Sequence, residues 1–323
     1  MLSQEKRKIT PVADLHCDLL SYLAHGGSRS YQDPEVRCSY PQLMKGHIFF
    51  QTLAIFVETK KGCAAFAAKQ IEVYKNLPAE KFIPMKTLEL PTSQDRVHML
   101  PAIENLSGLC DEKEELELAF QRIDEAQQTI GPLLYISLTW NDANRFGGGS
   151  STSLGLKKDG KAVLEYLSGK KVAIDLSHTS DTLAYDILDF IDKNNLKLIP
   201  IASHSNFRKV VNQPRNLPDE LAQEIIRRGG VIGFNLVRRF LGEDPLKHIE
   251  HGLSLGGSDH LCFGADFFFD GDLPSLQIPF GPFFDTRFAD ATCYPKLLEL
   301  FSEKLSKEKI AYQNLASFLE RMR

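Results

Sequence analysis

The chain has 323 residues, 43% of them hydrophobic and 25% charged, which is the balance of a globular protein with ample core. A formal net charge of −4 leaves no basic surplus, so neither nucleic acid nor an anionic membrane surface is a favoured partner. Residues 1–10 are charged throughout and lack the apolar stretch of a secretory signal, and no run reaches the ~18 apolar residues of a membrane span, so a cytoplasmic location is expected.

Residues 12–18, Val-Ala-Asp-Leu-His-Cys-Asp, read as a first strand. A period of two puts Asp14, His16 and Asp18 on one face and Leu15 and Cys17 on the other. Burying such a polar face without a positive charge among the groups costs several kcal/mol, and a divalent cation is the simplest partner. A Gly-, Ser- and Tyr-rich loop follows, then an apolar, β-prone inner strand over 47–57. Helical spacing over 61–77 leads to a third strand over 97–104, ending on Glu104. An amphipathic helix over 111–130 is acidic at its start, as its dipole favours. The fourth strand is 133–140, and the glycine- and serine-rich stretch 147–153 after it is expected to be a mobile loop. A helix around 161–168, a fifth strand over 172–178, a helix over 179–195 and a sixth strand over 198–204 continue the alternation. The helix over 218–228 stops at Gly229-Gly230. Strands over 231–236 and 261–266 bracket a helical segment, and helices over about 295–305 and 307–322 close the chain.

Eight strands with helical connections nearly throughout predict an α/β fold, a (β/α)8 barrel of TIM type, as one domain over 1–323. The absence of a Gly-x-Gly-x-x-Gly after the first strand weighs against an open doubly wound sheet. Six cysteines without a Cys-x-x-Cys pair predict free, mostly buried thiols.

A barrel collects the C-terminal ends of its strands in one mouth. Here those ends carry His16 and Asp18, Glu104, His178, His204 and Asp266. One histidine alone is more often a cap or a satisfied core group. Six metal-competent or acid/base groups on one rim point to chemistry. Three imidazoles and three carboxylates exceed the three protein ligands of one open zinc site, and they suit two ions about 3.5–4 Å apart with a bridging carboxylate. Zinc is favoured, with manganese, cobalt or iron also compatible.

His16-Cys17-Asp18, Leu138-Thr139-Trp140 with Asn144, Asp175-Leu176-Ser177-His178, Ser203-His204-Ser205, Pro214-Arg215-Asn216-Leu217-Pro218-Asp219, Gly229-Gly230-Val231-Ile232-Gly233 and Gly264-Ala265-Asp266-Phe267 resemble, in order, the motifs of the renal or membrane dipeptidase family of zinc metallopeptidases. The resemblance implies a metal-dependent dipeptidase that cuts small dipeptides, tolerant of a D-residue on the C-terminal side, through hydroxide held by two Zn2+ per chain. It implies that His16 and Asp18 bind one zinc, His178 and His204 the other, and that Glu104 bridges them. Arg215 matches the arginine that holds the substrate carboxylate, and Asp266 the acid/base carboxylate. Trp140 and Asn144 fall in a substrate-binding motif, and Asp14 becomes a residue that orients a ligand.

The chain departs from the family pattern at Trp140, where a histidine is usual. An indole donates one hydrogen bond but carries no proton or charge. Two other readings therefore stand beside the first: an amidohydrolase-like barrel acting on acyl amino acids or lactones, and a catalytically impaired metal-binding barrel. His25, His47, His98, His248, His251 and His260 match no family ligand and are read as surface or capping residues. The seven phenylalanines over 267–288 are expected to wall the active-site mouth, to pack on the barrel rim or to meet another subunit. The expected partner is a small dipeptide, with no nucleic acid and no membrane, and a homodimer is the base-rate oligomer.

Overall fold

Apolar, β-prone runs that are buried on both faces form parallel strands, and the described residues supply nine: β1 (Val12–Cys17), β2 (Ile48–Phe56), β3 (Phe82–Pro84), β4 (Val97–Glu104), β5 (Tyr135–Ser137), β6 (Ala173–Asp175), β7 (Pro200–Ile201), β8 (Ile232–Phe234) and β9 (Leu261–Phe263). The computed structural model describes residues 9–272, 281–301 and 306–323. The strands pair in parallel in the order β7-β6-β5-β4-β2-β1-β9-β8. The ring closes where Ala202 bridges Ile232, with Ala202 N–H donating to Val231 O at 3.0 Å and Gly233 N–H to Ala202 O at 2.7 Å. The result is the expected eight-stranded barrel. The short strand β3, absent from the sequence reading, pairs with the first residues of β4, whose far end pairs with β5.

The helices are α1 (Leu19–Ala24), α2 (Tyr40–Lys45), α3 (Cys63–Asn76), α4 (Glu117–Ile130), α5 (Lys158–Leu167), α6 (Asp181–Lys193), α7 (Asp219–Arg227), α8 (Arg238–Leu241), α9 (Pro245–Ser254), α10 (Tyr294–Leu300) and α11 (Asn314–Met322). The stretch after β1, read as a loop, holds α1 and α2. Helix α7 ends as expected: Gly229 sits at φ +77° and donates to Ile226 O, while Gly230 N–H reaches Ile225 O. Gly230 has a second reason to lack a side chain, because a Cβ there would overlap the Pro200 carbonyl of β7.

Helix α4 begins six residues later than its acidic run suggests. Asp111 is spent elsewhere, accepting the Gly62 and Ala64 N–H groups at the start of α3 together with the Cys63 thiol. Helix α11 closes the N-terminal end of the barrel. Its Leu315, Phe318, Leu319 and Met322 pack into the interior layer of Ala13, Leu15, Leu100, Ala102, Ile201 and Val231, each buried side chain contributing about 1.5–3 kcal/mol. With that end plugged, the C-terminal mouth is left for a site. All six cysteines are free and buried, and among the described residues no helix is long and apolar enough to cross a membrane.

Candidate metal centre

The barrel mouth gathers the residues that end its strands. His16 Nε2 lies 3.1 Å from Glu104 Oε2, 3.8 Å from Asp18 Oδ1 and 3.7 Å from Asp266 Oδ1. The other Glu104 oxygen, Oε1, lies 3.0 Å from His178 Nε2 and 3.6 Å from His204 Nε2. Three overlapping groups have ligand atoms close enough to share an ion: His16, Asp18 and Glu104; Glu104, His178 and His204; and His16, His204 and Asp266. All six are buried.

Each imidazole is held from behind by an acceptor, and this sets its tautomer. The Tyr135 hydroxyl donates to Leu15 O at 3.1 Å and so accepts from His16 Nδ1, 2.6 Å away. Ser203 Oγ donates to Asp175 Oδ2 and accepts from His204 Nδ1 at 2.7 Å. Asn141 Oδ1 accepts from His178 Nδ1 at 2.9 Å. All three Nε2 atoms therefore present lone pairs to one space, as metal-binding histidines do. His16 Nε2, Asp18 Oδ1 and Glu104 Oε2 are buried without a hydrogen-bond partner. Such groups are costly to bury unpaired, and the donor set of imidazoles and carboxylates fits zinc or a related divalent ion.

Burial shapes the charges. It pushes the Glu104 carboxyl up to about 8 and Asp266 up to about 7. It also raises Asp18 well above the carboxylate range, with Glu104 adding repulsion. His178 and His204 fall well below the usual imidazole value through burial. Neutral imidazoles beside carboxylates that resist ionising alone form a cluster that a cation would stabilise.

Asp14 does not share a face with His16. The register of β1 against β2 shifts between Asp14 and Cys17, an irregularity that breaks the period of two. Asp14 instead accepts the His16 N–H at 2.8 Å, Gln51 Nε2 at 2.9 Å, the Ala265 N–H at 3.0 Å and the Tyr294 hydroxyl. It thus ties the end of β1 to the end of β9, behind the cluster. His178 and Asp266 both have positive φ, +66° and +64°, a strained conformation costing about 1–3 kcal/mol that often accompanies function.

The glycine-rich stretch 147–153 is not the free loop its composition suggested. Gly147, Gly148 and Gly149 are buried, Gly149 bridges Thr179, and the Ser150 N–H donates to His178 O at 2.8 Å. A Cβ at Gly149 would overlap the Trp140 carbonyl. Small residues here permit a close wrap around His178.

Asn144, expected in a substrate-binding motif, faces this web instead. Its amide nitrogen donates to Asn105 Oδ1, Ser107 Oγ and Leu138 O, and its oxygen accepts the Phe146 and Gly147 N–H groups. Nothing is left over for a substrate. Trp140 stands beside the centre, its ring 5.9 Å from that of His178 and edge-on to Phe56 at 5.2 Å. Arg215 is buried, donating to Ser205 Oγ at 2.8 Å and His204 O at 2.9 Å. Its Nε has no partner, and no carboxylate among the described residues forms an ion pair with it within 4.0 Å. Asn235 was not singled out from sequence: it donates to Asp266 Oδ2 at 2.9 Å and to His204 O. Tyr135 and Asn141 were missed for the same reason, since neither residue type signals a metal.

Of the remaining histidines, His248 is not on the surface. It is fully buried, accepting the Phe207 N–H at Nδ1 and donating from Nε2 to Leu241 O. His98 is buried as well. Among the phenylalanines after β9, Phe267, Phe268, Phe284 and Phe288 are buried, while Phe280 lies outside the described residues with Pro274 and Pro279.

A parallel barrel whose mouth brings together three lone-pair-bearing imidazoles and three carboxylates falls in the class of barrels with a metal-competent mouth. Within it, a profile of the membrane dipeptidase family, peptidase family M19, matches residues 4–320, and the chain belongs to that family of metallopeptidases. Two solved structures share the fold. A metallo peptidase from Rhodobacter sphaeroides, liganded with a phosphinate mimic of the dipeptide L-Ala-D-Ala, has a TM-score of 0.75 and 20% identity, covering 98% of this chain and 100% of the other. A dipeptidase AC metallo peptidase has a TM-score of 0.76 and 20% identity, covering 98% and 99%. In sequence, an uncharacterized protein in the pqqA 5' region of Klebsiella pneumoniae is 30% identical over 188 residues, 52% of this chain and 64% of that protein. The chain thus spans less than two thirds of that relative, and about half or less of three other relatives that it matches.

Proposed function

We propose that this protein is a metal-dependent dipeptidase with two divalent ions, most suitably zinc, bridged by Glu104. The observation that carries this reading is the division of the Glu104 carboxylate, one oxygen 3.1 Å from His16 and the other 3.0 Å from His178. His16 and Asp18 would hold one ion, His178 and His204 the other. When bound, the pair supplies an activated water and polarises the peptide carbonyl.

The chain's own residues do the rest. Arg215, buried with its Nε unpartnered and with the Asp266, Asp175 and Glu104 carboxylates nearby but none among the described residues in ion-pair contact, receives the substrate's terminal carboxylate through a planar guanidinium able to contact both oxygens. Because that contact reads the carboxylate and not the side chain beside it, a D-residue on the C-terminal side is tolerated, in keeping with the L-Ala-D-Ala mimic in the Rhodobacter sphaeroides relative. Asp266 takes the proton of the attacking water at Oδ1 and returns it to the leaving amine, while Asn235 holds Oδ2. Trp140 packs over His178 and contributes bulk to the wall, not a charge.

The test is direct. Purified protein, stripped with a chelator and reloaded with zinc, is assayed on free dipeptides, N-acyl amino acids and lactones, with metal counted by mass spectrometry. Chelator-sensitive cleavage of free dipeptides with about two zinc per chain supports the proposal. Cleavage restricted to blocked amino acids or lactones replaces it with the wider amidohydrolase reading, and metal binding without turnover leaves a binding barrel.

A further inference from the structure

The metal cluster has two flanks. On the His204 side stands Arg215, bonded to His204 O. On the Asp18 side opens a pocket with about 100 Å³ of interior space, lined by Asp18, Tyr22, Phe56, Phe66, Phe268 and Phe269.

The aromatic wall is braced before any ligand arrives. Tyr22 meets Phe269 edge-on at 5.4 Å, and the Arg29 guanidinium lies over both rings, 4.6 and 5.2 Å from their centroids. Arg29 is in turn held by Asp272 through two bonds of 2.5 Å. Phe66 is backed by His25 at 4.9 Å, and Phe56 by Trp140 at 5.2 Å. The rim carries charges of both signs, Lys60, Lys61 and Glu58, so it selects for no net charge.

We propose that this pocket receives the side chain of the residue on the amino-terminal side of the scissile bond, and that it selects large apolar and aromatic side chains. The inference rests on the dipeptidase reading and adds a specificity to it. A dipeptide with its carboxylate on Arg215 crosses the cluster and lays its first residue toward Asp18, where five aromatic rings form the walls. Phe66 is the specificity-determining residue: it is half-buried, it faces the pocket, and it touches none of the six cluster residues through a ring contact.

The experiment compares two phosphinate analogues, of Phe-Ala and of Ala-Ala, for binding to the zinc-loaded protein. Binding is followed by calorimetry and by the fluorescence of Trp140, the only tryptophan in the chain. The Phe analogue is expected to bind at least about 10-fold more tightly. Phe66→Ala and Phe66→Trp, which empty and fill the pocket, the latter followed by calorimetry alone because it adds a second indole, are both expected to shrink that ratio toward one. Equal binding of the two analogues, or a ratio unchanged in both variants, overturns the proposal. Preferential binding of the Phe analogue without hydrolysis of any dipeptide leaves the pocket assignment standing and removes the dipeptidase reading.

Discussion

His178 and His204 bring their Nε2 atoms to 2.9 Å of one another. Each ring donates its Nδ1 proton backward, to Asn141 and to Ser203, so neither nitrogen carries a hydrogen to share. Two lone pairs at that distance repel, and a cation between them turns repulsion into coordination. Removing metal is therefore expected to destabilise the fold. A ligand at 100 times its Kd contributes about 2.7 kcal/mol. Treatment with a chelator should lower the melting temperature by several degrees, and stoichiometric zinc should restore it. A melting curve indifferent to both would mean that the cluster binds no metal.

Among the described residues, Glu104 is the only carboxylate whose two oxygens face different histidines. Glu104→Gln preserves its shape and removes its charge. The variant is expected to lose turnover by more than about 10²-fold, the scale of deleting one electrostatic group from a reaction centre, and to retain fewer than two zinc ions by mass spectrometry. Wild-type turnover in this variant would rule out a bridging role.

Arg215 spends two guanidinium nitrogens on Ser205 and His204 and keeps its buried Nε unpartnered. Arg215→Lys keeps the charge and loses the planar fork. Expected is a fall of about 10–100-fold in kcat/KM for free dipeptides, or about 1.4–2.8 kcal/mol of transition-state binding. Dipeptide amides, lacking the carboxylate, should be poor substrates of the parent and lose much less in the variant. Equal losses on both substrates would place Arg215 outside carboxylate recognition.

Much of this was legible in the sequence, for identifiable reasons. Strands buried on both faces are continuous apolar runs, so all eight barrel strands could be placed, and the residues ending them could be named because a parallel barrel collects those ends. What failed was local. The alternation that grouped Asp14 with His16 was undone by a register shift in β1. The acidic run before α4 was diverted when Asp111 bound the start of α3. The glycines at 147–149 looked mobile because composition does not distinguish a loose loop from one packed tightly against a backbone. Asn144 carried a motif position but had all its hydrogen bonds claimed by its own loop. The supports of the cluster, Tyr135, Asn141 and Asn235, are common residue types whose roles come only from three-dimensional proximity.

His248 offers a test of stability apart from the metal cluster. It lies between Phe207 and Leu241, with Phe207 N–H donating to Nδ1 and Nε2 donating to the Leu241 carbonyl. That arrangement requires the neutral ring, and burial lowers its pKa to about 4. His251 nearby disfavours a positive charge and Asp244 favours one, both more weakly than burial. In the unfolded chain the ring titrates near 6.5. Between these values the unfolded state binds the extra proton. The stability His248 contributes is therefore complete above about pH 6.5 and declines as pH falls toward 4, by at most about 3 kcal/mol. His248→Gln, which keeps a donor for Leu241 and does not titrate, should be less stable than wild type by about 1–2 kcal/mol at pH 7.5. In urea unfolding at pH 7.5, 5.5 and 4.5 the gap between the two proteins should close near pH 5.5 and reverse by pH 4.5, where the proton penalty on wild type reaches about 2.5 kcal/mol. A gap that stays constant across the three would mean that His248 does not titrate differently in the folded and unfolded chain.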